Sequence, residues 1–216
     1  MIGRPPTVGD LLGAANRWVT ERSHIRAGSR RADRFSAFGA GTVVCHPPAA
    51  LFGERAIRLG EGTLIGPYVS LSAGMEPDQE LVSDHIVTIG DRCLIGRSSS
   101  IVAHLEVVIE DDVFFGPNVY VTDQNHGVDR LDVPIGRQSR LEEPVRIGAG
   151  SWLGANAVVL PGVTIGRHGA GGAGSVVTGD LPDRAVAVGV PARVVRLAGP
   201  DEPDDQPGGT TAAPGP

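Results

Sequence analysis

Lysine is absent from this 216-residue chain, and all 19 basic residues are arginine. The bias reads as residue usage rather than as chemistry. With 25 acidic residues the formal net charge is -6, and Asp201, Glu202, Asp204 and Asp205 near the C-terminus carry -4 of it. The remainder is nearly balanced, which does not indicate a nucleic-acid binder. Two cysteines, Cys45 and Cys93, stand apart with no metal-ligand or redox spacing. Aromatic residues are only 4% of the chain, so any core must be aliphatic. No run approaches the ~18 apolar residues of a membrane span, and residues 1–10 hold no apolar stretch of the secretory type. The expected compartment is cytoplasmic.

Glycine, by contrast, is abundant at 31 residues, about twice the usual share. It is also periodic. Apolar residues recur every sixth position at Leu59, Ile65, Leu71; Ile89, Ile95, Ile101; Ile109, Phe115, Val121; and Ile147, Leu153, Val159, Ile165, with Val177 in the same register. Glycine follows eight of them, at 60, 66, 90, 96, 116, 148, 154 and 166. Small or apolar residues lie four past many slots, including Thr63, Cys93, Ser99, Ser151 and Ser175. Helices repeat near 3.6 residues and strands at two, so a period of six fits neither. It marks a β-helix in which each repeat makes one flat face of a coil. Stacked coils bury one another's slot residues, which makes stacking the source of the core.

The expected organisation is one domain with flanks. Residues 1–56 hold a helical segment over 10–22, with Asp10 as its N-cap, and a weakly patterned lead-in. The apolar face Leu11, Leu12, Ala15, Trp18 and Val19 is expected to pack on the first coil or on a neighbouring subunit. The following Arg22, Arg26, Arg30, Arg31 and Arg34 read as a solvated face. Residues 57–196 form the β-helix, and 197–216 a disordered tail rich in Pro, Gly and acid. Within the β-helix the register breaks three times. Residues 73–85 loop out or form an irregular coil, a two-residue bulge falls near His104, and 122–146 make a long excursion. Long loops on rigid scaffolds often carry function.

Four motifs bear on chemistry. His126 lies in Val121-Thr-Asp-Gln-Asn-His-Gly-Val-Asp129, just where the chain leaves the coil. A neutral imidazole suits proton abstraction from a hydroxyl or amine, and Asp123, Asn125, Asp129 or a backbone carbonyl could orient it. Gly154 and Ala155 place a nearly bare backbone on the surface, with an N–H able to meet an oxyanion. Trp152 could pack on a cofactor or in a subunit contact. Ala173 lies three repeats beyond Ala155, so the two would stack and edge a narrow groove for an extended chain. Arg193 and Arg196 could meet phosphates.

The segment from Phe115-Gly-Pro-Asn-Val to Val188-Gly-Val-Pro-Ala-Arg-Val resembles the left-handed β-helix acyltransferases, most of all sugar O-acetyltransferases of the galactoside/maltose type. The Asp-Gln-Asn-His-Gly stretch is similar to that of polysaccharide O-acetyltransferases. The resemblance covers roughly residues 55–196. It implies an all-β left-handed parallel β-helix, a homotrimer with active sites between subunits, and acetyl-CoA as donor with no metal. By the same resemblance His126 is the base, Asp123 and Asn125 lie near the acceptor, and Trp152, Gly154, Ala155, Ala173 and Ser175 line the donor groove. Thr178, Arg193 and Arg196 fall near the nucleotide end of CoA. Three departures stand out. Ala155 replaces a serine found in some relatives, Gly171 replaces an aliphatic slot residue and predicts a thin core there, and acceptor-pocket residues around 94–100 are not matched. The expected reaction is direct acetyl transfer to a sugar-type hydroxyl. The alternatives are an amine acceptor, a non-catalytic scaffold, and a zinc hydratase built on His85, His104 and His126.

Overall fold

The computed structural model describes residues 7–77 and 79–199, so most of the predicted tail lies outside the described residues. The chain winds into a left-handed parallel β-helix with three flat faces. One coil runs through Val107–Ile109 on face I, Phe114–Phe115 on face II and Tyr120–Thr122 on face III. Each strand pairs in parallel with its equivalents one coil below and above: Ile109 with Ile89 and Ile147, Phe115 with Ile95 and Leu153, Val121 with Ile101 and Val159. All the slot residues from Leu59 to Val177 point inward and are buried.

Two turn positions explain the glycines. The residue three past a slot takes a left-handed backbone, as at Gly62, Gly150 and Gly162, and also at Arg92, Asp112, Asn118 and Asn156. The glycine immediately after a slot serves another need. A Cβ on Gly60 would lie 2.5 Å from the Gly90 carbonyl carbon of the next coil. Coils therefore stack closely at the edges only because that position is bare.

The lead-in differs from its weak pattern. Ala37–Phe38, Val43–Val44 and Ala50–Phe52 pair in register with Ile57–Leu59, Leu64–Ile65 and Ser70–Ala73, making a full coil before residue 57. At the other end Ala185–Val188 extends face II, and Arg193–Leu197 folds back antiparallel on it. The predicted thin core at Gly171 is filled instead. A Cβ there would lie 2.8 Å from Cδ2 of Leu153, whose side chain takes the space.

The N-terminal helix α1 spans Val8–Ser23. Its N-cap is Thr7 rather than Asp10. Asp10 is the third helical residue of a capping box, its carboxylate accepting the Thr7 N–H at 2.8 Å. No α1 residue is buried, and Leu11, Leu12, Trp18 and Val19 remain exposed, so the expected packing on the first coil is not made. The Arg22 guanidinium instead covers the Trp18 ring at 4.7 Å. No described helix is long and apolar enough to cross a membrane.

Candidate active site

The three edges of the prism differ chemically. At four positions along the edge between faces I and II, the N–H two past the slot meets a carboxylate. Glu61 donates to Asp91 at 2.8 Å, Asp91 to Asp111 at 2.9 Å, Ala149 to Glu110 at 2.9 Å and Arg167 to Asp183 at 2.8 Å. Burial pushes the Glu110 carboxyl up, but the Ala149 N–H and the Arg146 guanidinium outweigh it and hold the group below its ordinary range. The edge between faces II and III carries no such caps. In the lead-in coil the equivalent His46 N–H donates to His24 Nδ1 at 2.9 Å, and in the later coils the equivalent positions are Pro67, Arg97, Pro117, Ala155 and Ala173. The N–H groups of Arg97, Ala155 and Ala173 have no acceptor among the described residues.

This second edge is also the barest. A Cβ on Gly154 would sit 2.5 Å from the Ala173 nitrogen, and one on Gly116 would sit 2.8 Å from the Ala155 nitrogen. Ala155 and Ala173 therefore stack as the spacing predicts, with the Gly174 N–H bonded to the Ala155 carbonyl at 2.8 Å. The result is a strip of backbone with outward donors and no side chain beyond a methyl at 154, 155 and 173. It can accept an extended ligand carrying carbonyl oxygens.

The excursion leaves the third edge, between faces III and I. Its first residues form a hairpin, in which Gln124–His126 pairs with Arg140–Glu142. Alternation along the strands puts Gln124, His126, Arg140 and Glu142 on one side and Asn125 with Leu141 on the other. His126 and Asn125 are exposed, and the Asn125 side chain accepts the His126 N–H at 2.9 Å. Asp123 does not serve the acceptor or orient His126. It is fully buried, and its carboxylate accepts the backbone N–H groups of His104, Leu105 and Glu106 at 2.7–3.0 Å. Asp123 holds the two-residue bulge of the coil below.

That bulge presents an imidazole that the motif does not single out. His104 Nδ1 lies 2.6 Å from Glu142 Oε1, and its Nε2 lies 3.3 Å from Gln79 Nε2. The His104 side chain is 14% exposed. The three residues come from three separate loops, at 73–85, 104–106 and the hairpin, so no sequence spacing joins them. The sequence signals were the bulge and the place of His104 in the zinc-hydratase alternative. Among the described residues no cluster of three His, Cys, Asp or Glu side chains converges as metal ligands do.

The remaining expected donor residues divide. Ser175 is buried in the interior with its hydroxyl unpartnered, so it cannot line a groove. Its equivalents Ser99 and Ser151 donate to the carbonyls of Gly116 and Gly166 in the next coil, and Ser175 belongs to the last full coil. Thr178 and Arg193 line one small cavity of about 210 Å³ with Asp180 and Leu181, while Arg196 stands apart on the exposed terminal strand opposite Val186. Trp152 faces outward from face II. It pairs with Phe114, which pairs with Leu94, which pairs with Leu64, so an apolar ladder runs up that face. Its members Leu64, Phe114 and Trp152 are 40–46% exposed.

Residues 86–105 and 144–179 match the repeat described as the hexapeptide repeat of succinyl-transferase. The chain is 34% identical over 147 residues to the galactoside O-acetyltransferase of Escherichia coli (strain K12), covering 68% of this chain and 66% of that one. It is 35% identical over 142 residues to the galactoside O-acetyltransferase of Lactococcus lactis subsp. lactis (strain IL1403), covering 56% of this chain and 68% of the relative. Against three of its curated relatives it spans 36%, 66% and 55% of their length. In fold it is similar to AntD, an N-acyltransferase from Bacillus cereus solved with dTDP and 3-hydroxybutyryl-CoA. That likeness has a TM-score of 0.66 at 18% identity, over 80% of this chain and 90% of that one. The repeat match and the relatives together place the chain in the hexapeptide-repeat acyltransferase family.

Proposed function

We propose that this protein transfers an acetyl group from acetyl-CoA to a hydroxyl of a sugar or glycan-type acceptor. The observation that carries the reading is the uncapped edge. On a scaffold that caps the turn N–H groups of one edge with carboxylates, the stacked Ala155 and Ala173 leave theirs open beside bare glycine. Pantetheine is a narrow chain with two amide groups and fits such a strip. The open Ala155 N–H supports a role in meeting the oxyanion that develops on the thioester carbonyl. Thr178 and Arg193 offer a polar pocket for the nucleotide end, with Arg196 on the neighbouring strand. The galactoside O-acetyltransferase relatives support a hydroxyl over an amine as the acceptor.

The acceptor's proton goes to an imidazole at the edge that carries the excursion, where the motif places His126. That edge and the donor strip are separated by the width of face III. Ala155 and Pro161 lie six residues apart, at most about 20 Å at ~3.3 Å per residue. The two edges of one chain stand apart, which supports completion of the site by a neighbouring copy. This argues for a homotrimer of prisms, with the apolar ladder of face II as a contact surface. In the reaction the acceptor oxygen attacks the thioester carbon as its proton passes to the imidazole. The C–S bond then breaks, and the thiolate recovers that proton. No covalent acyl-enzyme is needed, and no metal is invoked.

The test is release of free CoA thiol from acetyl-CoA across hexoses, methyl glycosides and amino sugars. Acceptor-dependent release is expected, strongest with hydroxyl acceptors. A protein that neither binds acetyl-CoA nor releases thiol with any acceptor is a scaffold, and the proposal then fails.

A further inference from the structure

We propose that the cavity between α1 and the foot of the edge between faces II and III is a distal subsite for a neutral glycan chain, so that the acceptor is an oligosaccharide rather than a free sugar. The inference rests on the acyltransferase reading and names the acceptor class. It begins with the direction of the donor. In that reading the thioester lies at Ala155, and the rest of CoA runs past Ala173 toward Thr178 and Arg193, in the direction of the last coil. The other half of the edge is left for the acceptor. Backbone hydrogen bonds mark its steps. The Asn156 N–H donates to Pro117, Asn118 to Arg97, Ser98 to Pro67 and Tyr68 to Pro47, at 2.6–3.0 Å. Pro67 and Pro47 are therefore three and four coils from Ala155, about 14–19 Å at ~4.8 Å per coil. A single sugar ring does not span that interval, and a chain of them does.

The side chains along this half suit such a chain. Tyr68, Ser98, Asn118 and Asn156 hold the same corner in successive coils, each exposed and each with a left-handed backbone at φ 59–60°. Hydroxyl and amide groups both donate and accept, as sugar hydroxyls require. Asparagine takes that backbone readily, whereas a residue as bulky as tyrosine rarely does. Tyr68 ends the row, 56% exposed, at the wall of the cavity. Its ring presents a negative face, which matches the polarised C–H groups of a pyranose. The cavity has a volume of about 580 Å³, within the range of small-ligand pockets. Asn16, Val19 and Thr20 of α1 line it together with His24, His46 and Tyr68, so a helix that buries no residue still walls a cavity. No carboxylate or guanidinium is among the lining side chains. Burial, and then the charge of Arg26, hold the His24 imidazole below its ordinary value, so it is uncharged at neutral pH. His24 Nδ1 accepts the His46 N–H at 2.9 Å, and His46 Nδ1 is buried with no partner among the described residues. The walls are thus uncharged, partly apolar and supplied with groups that pair with hydroxyls.

On this assignment the reacting unit lies at Ala155, and the units beyond it pass Asn118 and Ser98 and end on Tyr68. Contacts that far from the reacting bond are the same in the ground state and the transition state. They lower KM and leave kcat nearly unchanged. Chain length is therefore read in KM.

The experiment uses the full chain. Thiol release from acetyl-CoA is measured with linear β-1,4-galacto-oligosaccharides and α-1,4-malto-oligosaccharides, each from the monosaccharide to the hexasaccharide. Binding of the same chains, with and without CoA, is followed by calorimetry. Wild type is compared with Tyr68→Phe, Tyr68→Asn and Thr20→Trp. Asparagine already holds this corner at 118 and 156, so Tyr68→Asn keeps the turn and removes the ring. Thr20→Trp fills the cavity from the helix side. In at least one series KM is expected to fall about tenfold or more from disaccharide to pentasaccharide, with kcat changed less than about threefold. Tyr68→Phe should keep that gain, and Tyr68→Asn and Thr20→Trp should each remove most of it. A gain that survives both substitutions would overturn the subsite. So would KM and affinity that do not change with length in either series, which leaves the cavity to a neighbouring copy. If one variant fails to fold, the other and the wild-type length profile decide. Wild-type protein that binds no acetyl-CoA would overturn the acyltransferase reading instead, a failure distinct from that of the subsite, which the oligosaccharide titration reads on its own.

Discussion

The carboxylate of Asp123 sits one coil above His104 and accepts its backbone N–H at 3.0 Å, with the N–H groups of Leu105 and Glu106 beside it. A residue that the motif places beside the acceptor is thus a structural anchor for the bulge. Three backbone donors converge on one buried side chain, so an amide in its place presents an NH2 group to at least one of them. Asp123→Asn is expected to cost about 2–3 kcal/mol of stability. Urea unfolding should show a lower midpoint at unchanged slope. A change below about 0.5 kcal/mol would mean that the bulge holds itself.

Ala155 occupies the turn position that is proline at 67 and 117. Ala155→Pro is therefore compatible with the corner and removes one N–H, little else. If that N–H meets the oxyanion, kcat should fall about a hundredfold while the melting temperature stays close to that of the wild type. Unchanged kcat in a folded variant would reassign the oxyanion donor.

Two glycines separate strain against backbone from strain against a side chain. A Cβ at Gly154 would press on the Ala173 nitrogen at 2.5 Å and its Cα at 2.8 Å, neither of which can turn aside. At Gly171 it meets the Leu153 Cδ2 at 2.8 Å, the end of a flexible chain. Gly154→Ala should cost about 3 kcal/mol or more and Gly171→Ala about 1 kcal/mol. Leu153→Val combined with Gly171→Ala should be less destabilising than the sum of the two alone, as a double-mutant cycle would show.

Arg92 and Asp112 stand at equivalent left-handed turn positions one coil apart, and the guanidinium makes two hydrogen bonds of 2.7 Å to the carboxylate. That pairing holds the Asp112 carboxyl below its ordinary value of 3.8. A depressed folded-state value favours folding above the unfolded value. The contribution is lost as pH falls through the folded one, so it fades only below about pH 4. Arg92→Gln should move the Asp112 titration back toward 3.8, read by carboxyl 13C shifts. Both groups are solvated, so stability at neutral pH should barely change.

Phe114 and Trp152 are register partners on the exposed ladder of face II. A charge placed there has no compensating partner if the face is covered by a neighbouring copy. Phe114→Glu should convert a particle of three times the 22.4 kDa chain to one chain by light scattering, with the coil spectrum kept and thiol release abolished. A wild-type monomer would remove the argument for a shared site.

Much of the fold was legible because the β-helix writes its geometry into a short period. The slots at 59–177 are buried as spaced, and Ala155 stacks on Ala173 because the pairing of Trp152 with Ala170 sets the coil at three repeats. The lead-in coil at 37–52 was less legible, since its strands lack the regular slot-glycine pairs. The helix was legible in position but not in its cap, because Thr7 and Asp10 act as a reciprocal pair rather than singly.

Sequence by itself determined the coil, the bare edge and the exit point of the excursion, since each depends on residues a fixed number of positions apart. Only the tertiary structure decided which polar groups meet one another and which face solvent. Asp123 and His126 are neighbours in the chain, yet one is buried against the coil below and the other faces solvent. His104, Gln79 and Glu142 come from loops up to 63 residues apart, yet share one hydrogen-bond chain. Hydrogen-bond partnership across stacked edges depends on which loop reaches which, and no period in the sequence records that.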